Sequence, residues 1–196
     1  AGFSDQDYVA AGAVISETPA QIYAECGMVM HVKEPQPSEY DMIREDQILF
    51  TYLHLAADEQ QTRALIKSKS IDIAYETIER DNGSLPLLVP MSEVAGRMAT
   101  QEAAKYLEMP QGGLGVLLGG VTGVEPATVV VIGGGVVGIN AAKMACGLGA
   151  KVYILDTNLE RLSYLDDVMP ANCFPIMSNA GVLAELVAKA DAVIGA

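Results

Sequence analysis

Positive charge is scarce in this sequence. Its 196 residues carry 12 Lys+Arg against 25 Asp+Glu, a formal charge of −13, and no Lys/Arg cluster occurs along it. A nucleic-acid or anionic-membrane partner needs a basic face, so neither is expected. A small anion stays possible, because main-chain N–H groups at a helix start bind phosphate without net positive charge. Cysteine is also rare: Cys26, Cys146 and Cys173 are odd in number, and none has CxxC or zinc-ligand spacing. Three buried free thiols in a reducing compartment are expected, and no metal site. Long apolar runs are missing too. The longest, Ala127 to Ile139, contains three consecutive glycines and falls short of the ~20 residues of a membrane span. The opening Ala1-Gly2-Phe3-Ser4-Asp5 has neither the basic start nor the apolar stretch of a signal peptide. A soluble cytoplasmic protein is the expectation. With 51% apolar and 19% charged residues, disorder is excluded.

Both ends read as cut. There is no initiator Met, and Asp191 to Ala196 reads as a strand that stops where a loop is due. A fragment of a longer polypeptide is expected. Between the ends, short apolar strands alternate with amphipathic helices, the pattern of α/β proteins. In the first half, strands are predicted over 28–33, 47–54 and 71–75. Ser38 is read as the cap of a short acidic helix through about Glu45, and Asp58 as the start of a helix through about Lys67. Asp81-Asn82-Gly83-Ser84 reads as a turn. A longer helix capped by Ser92, with Val94, Met98, Ala103 and Leu107 buried, is predicted to stop before Pro110. Glycine-rich connections follow. Residues 1–86 are assigned to an incomplete N-terminal substrate or catalytic domain. Residues 87–196 are assigned to a linking helix and the first half of a nucleotide-binding domain.

The second half reads β-α-β-α-β-α-β. Its strands are 128–132, 151–156, 173–177 and 191–195, and its helices are 136–148, 159–165 and 180–190. Thr128 to Ile132 has the composition of a strand buried on both faces, and Pro175 points to an edge strand. Gly133-Gly134-Gly135-Val136-Val137-Gly138 is a GxGxxG match between strand and helix, and Asp156 lies 18 residues after Gly138, close to the ~20 of a dinucleotide fingerprint. Gly133 would allow the tight turn, Gly135 the close approach of a pyrophosphate, and Gly138 close helix–strand packing. Asp156 would accept the ribose hydroxyls and repel a 2′-phosphate, which favours NAD over NADP. The first half offers softer signals. His54 ends a predicted strand, where ligand-facing residues of parallel sheets sit, although strand-end histidines are also commonly structural. His31 and Lys33 alternate onto one face, and a lone Lys is ordinarily solvated surface.

Taken together, these residues resemble the alanine dehydrogenase family, with the transhydrogenase NAD-binding subunit as a more distant relative. The resemblance spans essentially the whole chain. It rests on Val32-Lys33-Glu34-Pro35, Leu49-Phe50-Thr51-Tyr52-Leu53-His54-Leu55-Ala56, the segment from Pro90 to Ala104, and the run from Gly112 through Asp156, with its loop from Gly119 to Ala127. It implies two Rossmann-like parallel-sheet domains, both incomplete here. It also implies NAD-dependent, reversible deamination of L-alanine to pyruvate and ammonia, and a homo-oligomer, a hexamer by resemblance. By matching motif, Lys33 would hold the substrate's carboxylate or carbonyl oxygen and His54 would be the acid/base group. Ser92 would contact the cofactor's phosphates, Val136 and Val137 would lie over the pyrophosphate, and Arg161 and Ser178 would border the adenine. The family's substrate-gripping Arg and catalytic Asp would fall before Ala1 and beyond Ala196. Two other readings remain: a transhydrogenase-like NAD-binding subunit, in which hydride passes to a second nucleotide, and a catalytically silent NAD-binding fragment.

Overall fold

The computed structural model describes residues 2–196, in two compact units, one ending at Leu88 and one running from Val89 to Ala196. The first unit contains α1 (Asp5–Ala10), α2 (Pro19–Glu25), β1 (Met28–Met30), β2 (Ile48–Thr51), α3 (Glu59–Ser68) and β3 (Ile71–Ala74). Its strands are parallel in the order β1-β2-β3. Asp58 caps α3 by accepting the Gln61 N–H at 3.0 Å, as its position ahead of the helical pattern predicts. Tyr23, Val29, Ile43, Leu49, Leu53 and Leu65 make the core on one face of the sheet. Register puts Met28, Ile48 and Ile71 in one row across the other face and Met30, Phe50 and Ile73 in the next. The four of these side chains on β1 and β3 are exposed.

Three expectations for this unit change. The segment after Ser38 makes only a 3₁₀ turn, Tyr40–Met42. The Glu39 carboxylate accepts the Gln36 N–H at 2.7 Å, and Arg44 turns back to donate to the Tyr23 and Cys26 carbonyls at 2.8 Å each, so the chain returns before a helix can propagate. The first two strands are shorter than predicted, ending at Met30 and Thr51. Cys26 is exposed, whereas Cys146 and Cys173 are buried free thiols. Cys26 ends α2 with its carbonyl taken by Arg44 and Gln47, which leaves its side chain outside.

The second unit contains α4 (Val89–Tyr106), β4 (Thr128–Ile132), α5 (Val136–Gly147), β5 (Lys151–Asp156), α6 (Leu159–Val168), β6 (Cys173–Met177), α7 (Ala180–Val187) and β7 (Ala192–Gly195). Its strands are parallel in the order β6-β5-β4-β7, with Pro175 on an edge strand. Val129, Val130 and Val131 are buried on both faces of β4, and Ala141, Ala142 and Ala145 of α5 are buried against the sheet. The chain order reverses at β4: β5 lies on one side and β7 on the other. In open α/β sheets that reversal, at the carboxyl ends of the strands, is where ligands bind.

Ser92 does not cap α4. The helix begins three residues earlier, at Val89, and Pro90 sits in its first turn, where the missing N–H costs nothing. Leu107 is buried as predicted, but Val94 and Met98 are exposed, and the buried residues of α4 are Gly96 and Thr100. Small residues form this seam because α4 lies very close to α5. A Cβ on Gly96 would stand 2.2 Å from the Val137 carbonyl oxygen. Among the described residues no helix is long and apolar enough to cross a membrane, and no group of three or more His, Cys, Asp or Glu could hold a metal ion.

Candidate functional site

The glycine loop emerges from the carboxyl end of β4 and opens α5. Gly133 takes φ +106°, a conformation disfavoured for a residue with a Cβ. Gly138 packs so tightly that a Cβ would sit 1.8 Å from the Gly133 carbonyl oxygen. At Gly135 a Cβ would meet no protein atom within 4 Å, so the main chain there is open to close approach. Gly135 is also the N-cap of α5, with no side-chain cap. Among the described residues the N–H groups of Gly135, Val136 and Val137 have no hydrogen-bond partner in the loop or helix. Free N–H groups at a helix start attract phosphate, and the loop therefore fits a dinucleotide's diphosphate.

The loop is braced from below. Asp156, half-buried at the end of β5, accepts the Gly134 N–H and the Asn158 N–H at 2.8 Å each. The Asn158 bond is the main reason its carboxyl titrates below the ordinary range. Partial burial opposes this, and the Gly134 and Thr157 N–H groups and the Arg161 guanidinium reinforce it. A carboxylate has about four lone-pair directions, so accepting capacity remains for a ribose. Arg161 donates to the Gly134 carbonyl and, at 3.4 Å, to the Gly135 carbonyl. Both loop carbonyls are thereby held by the guanidinium. The Ser178 N–H donates to the Asp156 carbonyl at 2.9 Å, which holds the end of β6 beside it. Ser92 lies on α4 one turn before Gly96. Contacts of α4 move toward the start of α5 in that direction, from the Thr100 hydroxyl on the Ala141 carbonyl at 2.8 Å to Gly96 beside Val137.

The first unit brings Lys33 and His54 to the carboxyl ends of neighbouring strands. The Thr51 hydroxyl donates to the Lys33 carbonyl at 2.7 Å, so the two strand ends are tied. Lys33 is exposed and, among the described residues, has no ion pair. His54 is left-handed, φ 48° and ψ 40°, at the start of a 3₁₀ turn over Leu55–Ala57. Its ring lies nearly parallel to that of Tyr52, 11° apart with centroids separated by 6.1 Å, and the Tyr52 hydroxyl donates to the Leu87 carbonyl. A cavity of about 420 Å³ opens beside it, lined by His54, Ala56, Ala74, Glu76 and Thr77 among others. The sequence reading missed Glu76. Its carboxylate accepts the N–H groups of Leu53 at 3.0 Å and His54 at 2.7 Å, a relation between segments that no local pattern signals. Asn140 was missed as well. It accepts from Arg97 at 3.3 Å and donates to the Val136 carbonyl at 2.9 Å.

A parallel sheet that reverses order beside a glycine-turned helix start, with a carboxylate closing the next strand, defines a dinucleotide-binding α/β protein. Comparison with known proteins narrows the class. The chain matches the alanine dehydrogenase/PNT C-terminal domain over residues 99–196 and the corresponding N-terminal domain over residues 1–95. It belongs to the alanine dehydrogenase/PNT family. It is 55% identical over 192 residues to the alanine dehydrogenase of Methanococcus maripaludis, covering 98% of this chain and 52% of that protein. A solved L-alanine dehydrogenase superposes with a TM-score of 0.86 at 53% identity, over 98% of this chain and 53% of that one. The transhydrogenase of Sinorhizobium meliloti shares the fold, with a TM-score of 0.75 at 23% identity, over 99% of this chain and 57% of that one. The chain spans about half the length of the relatives it matches.

Proposed function

We propose that this chain carries the NAD site and part of the amino-acid site of an L-alanine dehydrogenase, which converts L-alanine, NAD and water reversibly to pyruvate, ammonia and NADH. The glycine loop carries the cofactor half of this reading: free N–H groups at the start of α5, room at Gly135 and the braced Asp156. Val136 and Val137 would receive the diphosphate, Ser92 would add a hydroxyl to it, Asp156 would hold the adenosine ribose, and Arg161 and Ser178 would border the adenine. Bound NAD supplies the hydride acceptor. Lys33 offers a point charge for a carboxylate or carbonyl oxygen. His54 offers an imidazole for proton transfer as amine and carbonyl forms interconvert. A cytoplasmic homo-oligomer that acts on small 2-amino acids completes the reading.

Calorimetric titration of the chain with NAD tests the first half of this proposal, and heat of binding is expected. The second half is tested in a longer protein that contains this sequence. L-Alanine should drive NADH formation without a second nucleotide, which the transhydrogenase-like reading does not allow. There His54→Ala should lower kcat by about 10²–10⁴-fold, the range for a lost acid/base group, with NAD affinity nearly unchanged. Equal loss of both would make His54 a structural residue.

A further inference from the structure

A left-handed histidine needs a reason. Outside glycine that conformation is disfavoured and persists where the surroundings over-determine it. Around His54 they do, and side chains from other segments supply the constraint. The Leu53 and His54 N–H groups both point at the Glu76 carboxylate, at 3.0 Å and 2.7 Å. The Leu53 carbonyl takes the Gln61 side-chain N–H at 2.6 Å, and Gln61 is buried on α3. The Leu55 carbonyl takes the Thr62 hydroxyl at 3.0 Å. The His54 carbonyl takes the Ala57 N–H at 2.9 Å. The polar main-chain groups of the bend are thereby matched mostly by side chains that begin elsewhere.

Glu76 differs from the other partners because it is charged and holds two successive N–H groups with one carboxylate. Hydrogen bonds to an ionised acceptor are roughly twice as strong as neutral ones. Partial burial works against its ionisation, yet the His54 N–H, its own backbone N–H, the Leu53 N–H and the nearby imidazole together outweigh it, and its carboxyl titrates below the usual range. Glu76 also lines the cavity into which the His54 bend opens.

We propose that Glu76 is the positioning residue of the His54 bend: its carboxylate gathers the Leu53 and His54 N–H groups and so fixes where the imidazole stands. The role of that imidazole rests on the dehydrogenase reading above, but the clamp does not depend on it. Glu76→Gln keeps a neutral acceptor in place, and Glu76→Ala removes it.

Amide spectra and hydrogen exchange of the 196-residue chain test the clamp without any turnover. In the parent, the Leu53 and His54 amide protons should resonate downfield, as donors to a carboxylate do. Their exchange should quicken by about tenfold or more in Glu76→Ala, the loss of a charge-assisted hydrogen bond. Glu76→Gln should fall between the two. If Glu76→Ala does not fold, the parent-to-Gln comparison decides. Identical shifts and exchange at both amides in folded parent and Gln variant would overturn the proposal. In a longer protein that turns over alanine, Glu76→Gln should lower kcat and leave the KM for NAD within about twofold. Altered amides with unchanged kcat would leave the clamp standing and defeat the acid/base role of His54.

Discussion

Two of Asp156's lone-pair directions go to the N–H groups of Gly134 and Asn158, so the carboxylate that would select the ribose also shapes the glycine turn. Asp156→Ala should weaken NAD binding by about tenfold or more, the scale of one lost hydrogen bond to a charge, and should narrow the preference over NADP. Titration with both nucleotides checks this, and an unchanged preference would remove the ribose role. The pH sense follows from the same bonds. The folded carboxyl titrates below its ordinary value, so its stabilisation is complete above about pH 4 and is lost as pH falls through the lowered folded value. At this scale the sequence was legible for Gly133 and Gly138, because turn and packing each demand glycine at a fixed offset, and for the position of Asp156 at the end of β5. It was not legible for Glu76, whose partners lie more than twenty positions back, nor for the tie from Thr51 to Lys33.

Among the elements, the crossing of α4 over α5 departs most from helical pattern reading. A stripe of Val94 and Met98 reads as a buried seam, but the seam is Gly96 and Thr100. Close approach of two backbones selects small residues, and their low hydropathy hides them from a search for apolar periodicity. Gly96→Ala would force a Cβ against the Val137 carbonyl oxygen and the Asn140 Cβ. The expected cost is about 1–3 kcal/mol, typical of overpacking, read as a lower denaturation midpoint with an unchanged slope. NAD affinity should fall with it, because Val137 lies in the first turn that would receive the phosphates. By contrast β4, α5 and β5 fall close to where they were predicted. There a β-branched run, three glycines and a second apolar run all specify one answer, and tertiary context had nothing to override.

For the whole molecule, the two sheets differ in how well they are covered. The second unit buries β4 on both faces. The first leaves the apolar side chains of two adjoining rows exposed on its outer strands, with Met30 at 61% and Ile71 at 49% exposure, although parallel sheets are normally covered on both faces. Exposed contiguous apolar surface binds hydrophobic dyes. The chain should therefore bind anilinonaphthalene sulfonate, and Met30→Ser combined with Ile73→Thr should reduce that fluorescence with the far-UV spectrum preserved. Unaltered fluorescence would place the dye elsewhere. Alternation in the sequence predicted these strands, but pattern alone cannot say whether an apolar face has a cover. The glycine loop is in the opposite situation. It grows from the deepest strand of its unit, and its geometry is locked by Gly138 against the Gly133 carbonyl oxygen. NAD binding at the proposed site should therefore show no separate loss step on warming, and its abrupt loss should coincide with melting of the interior.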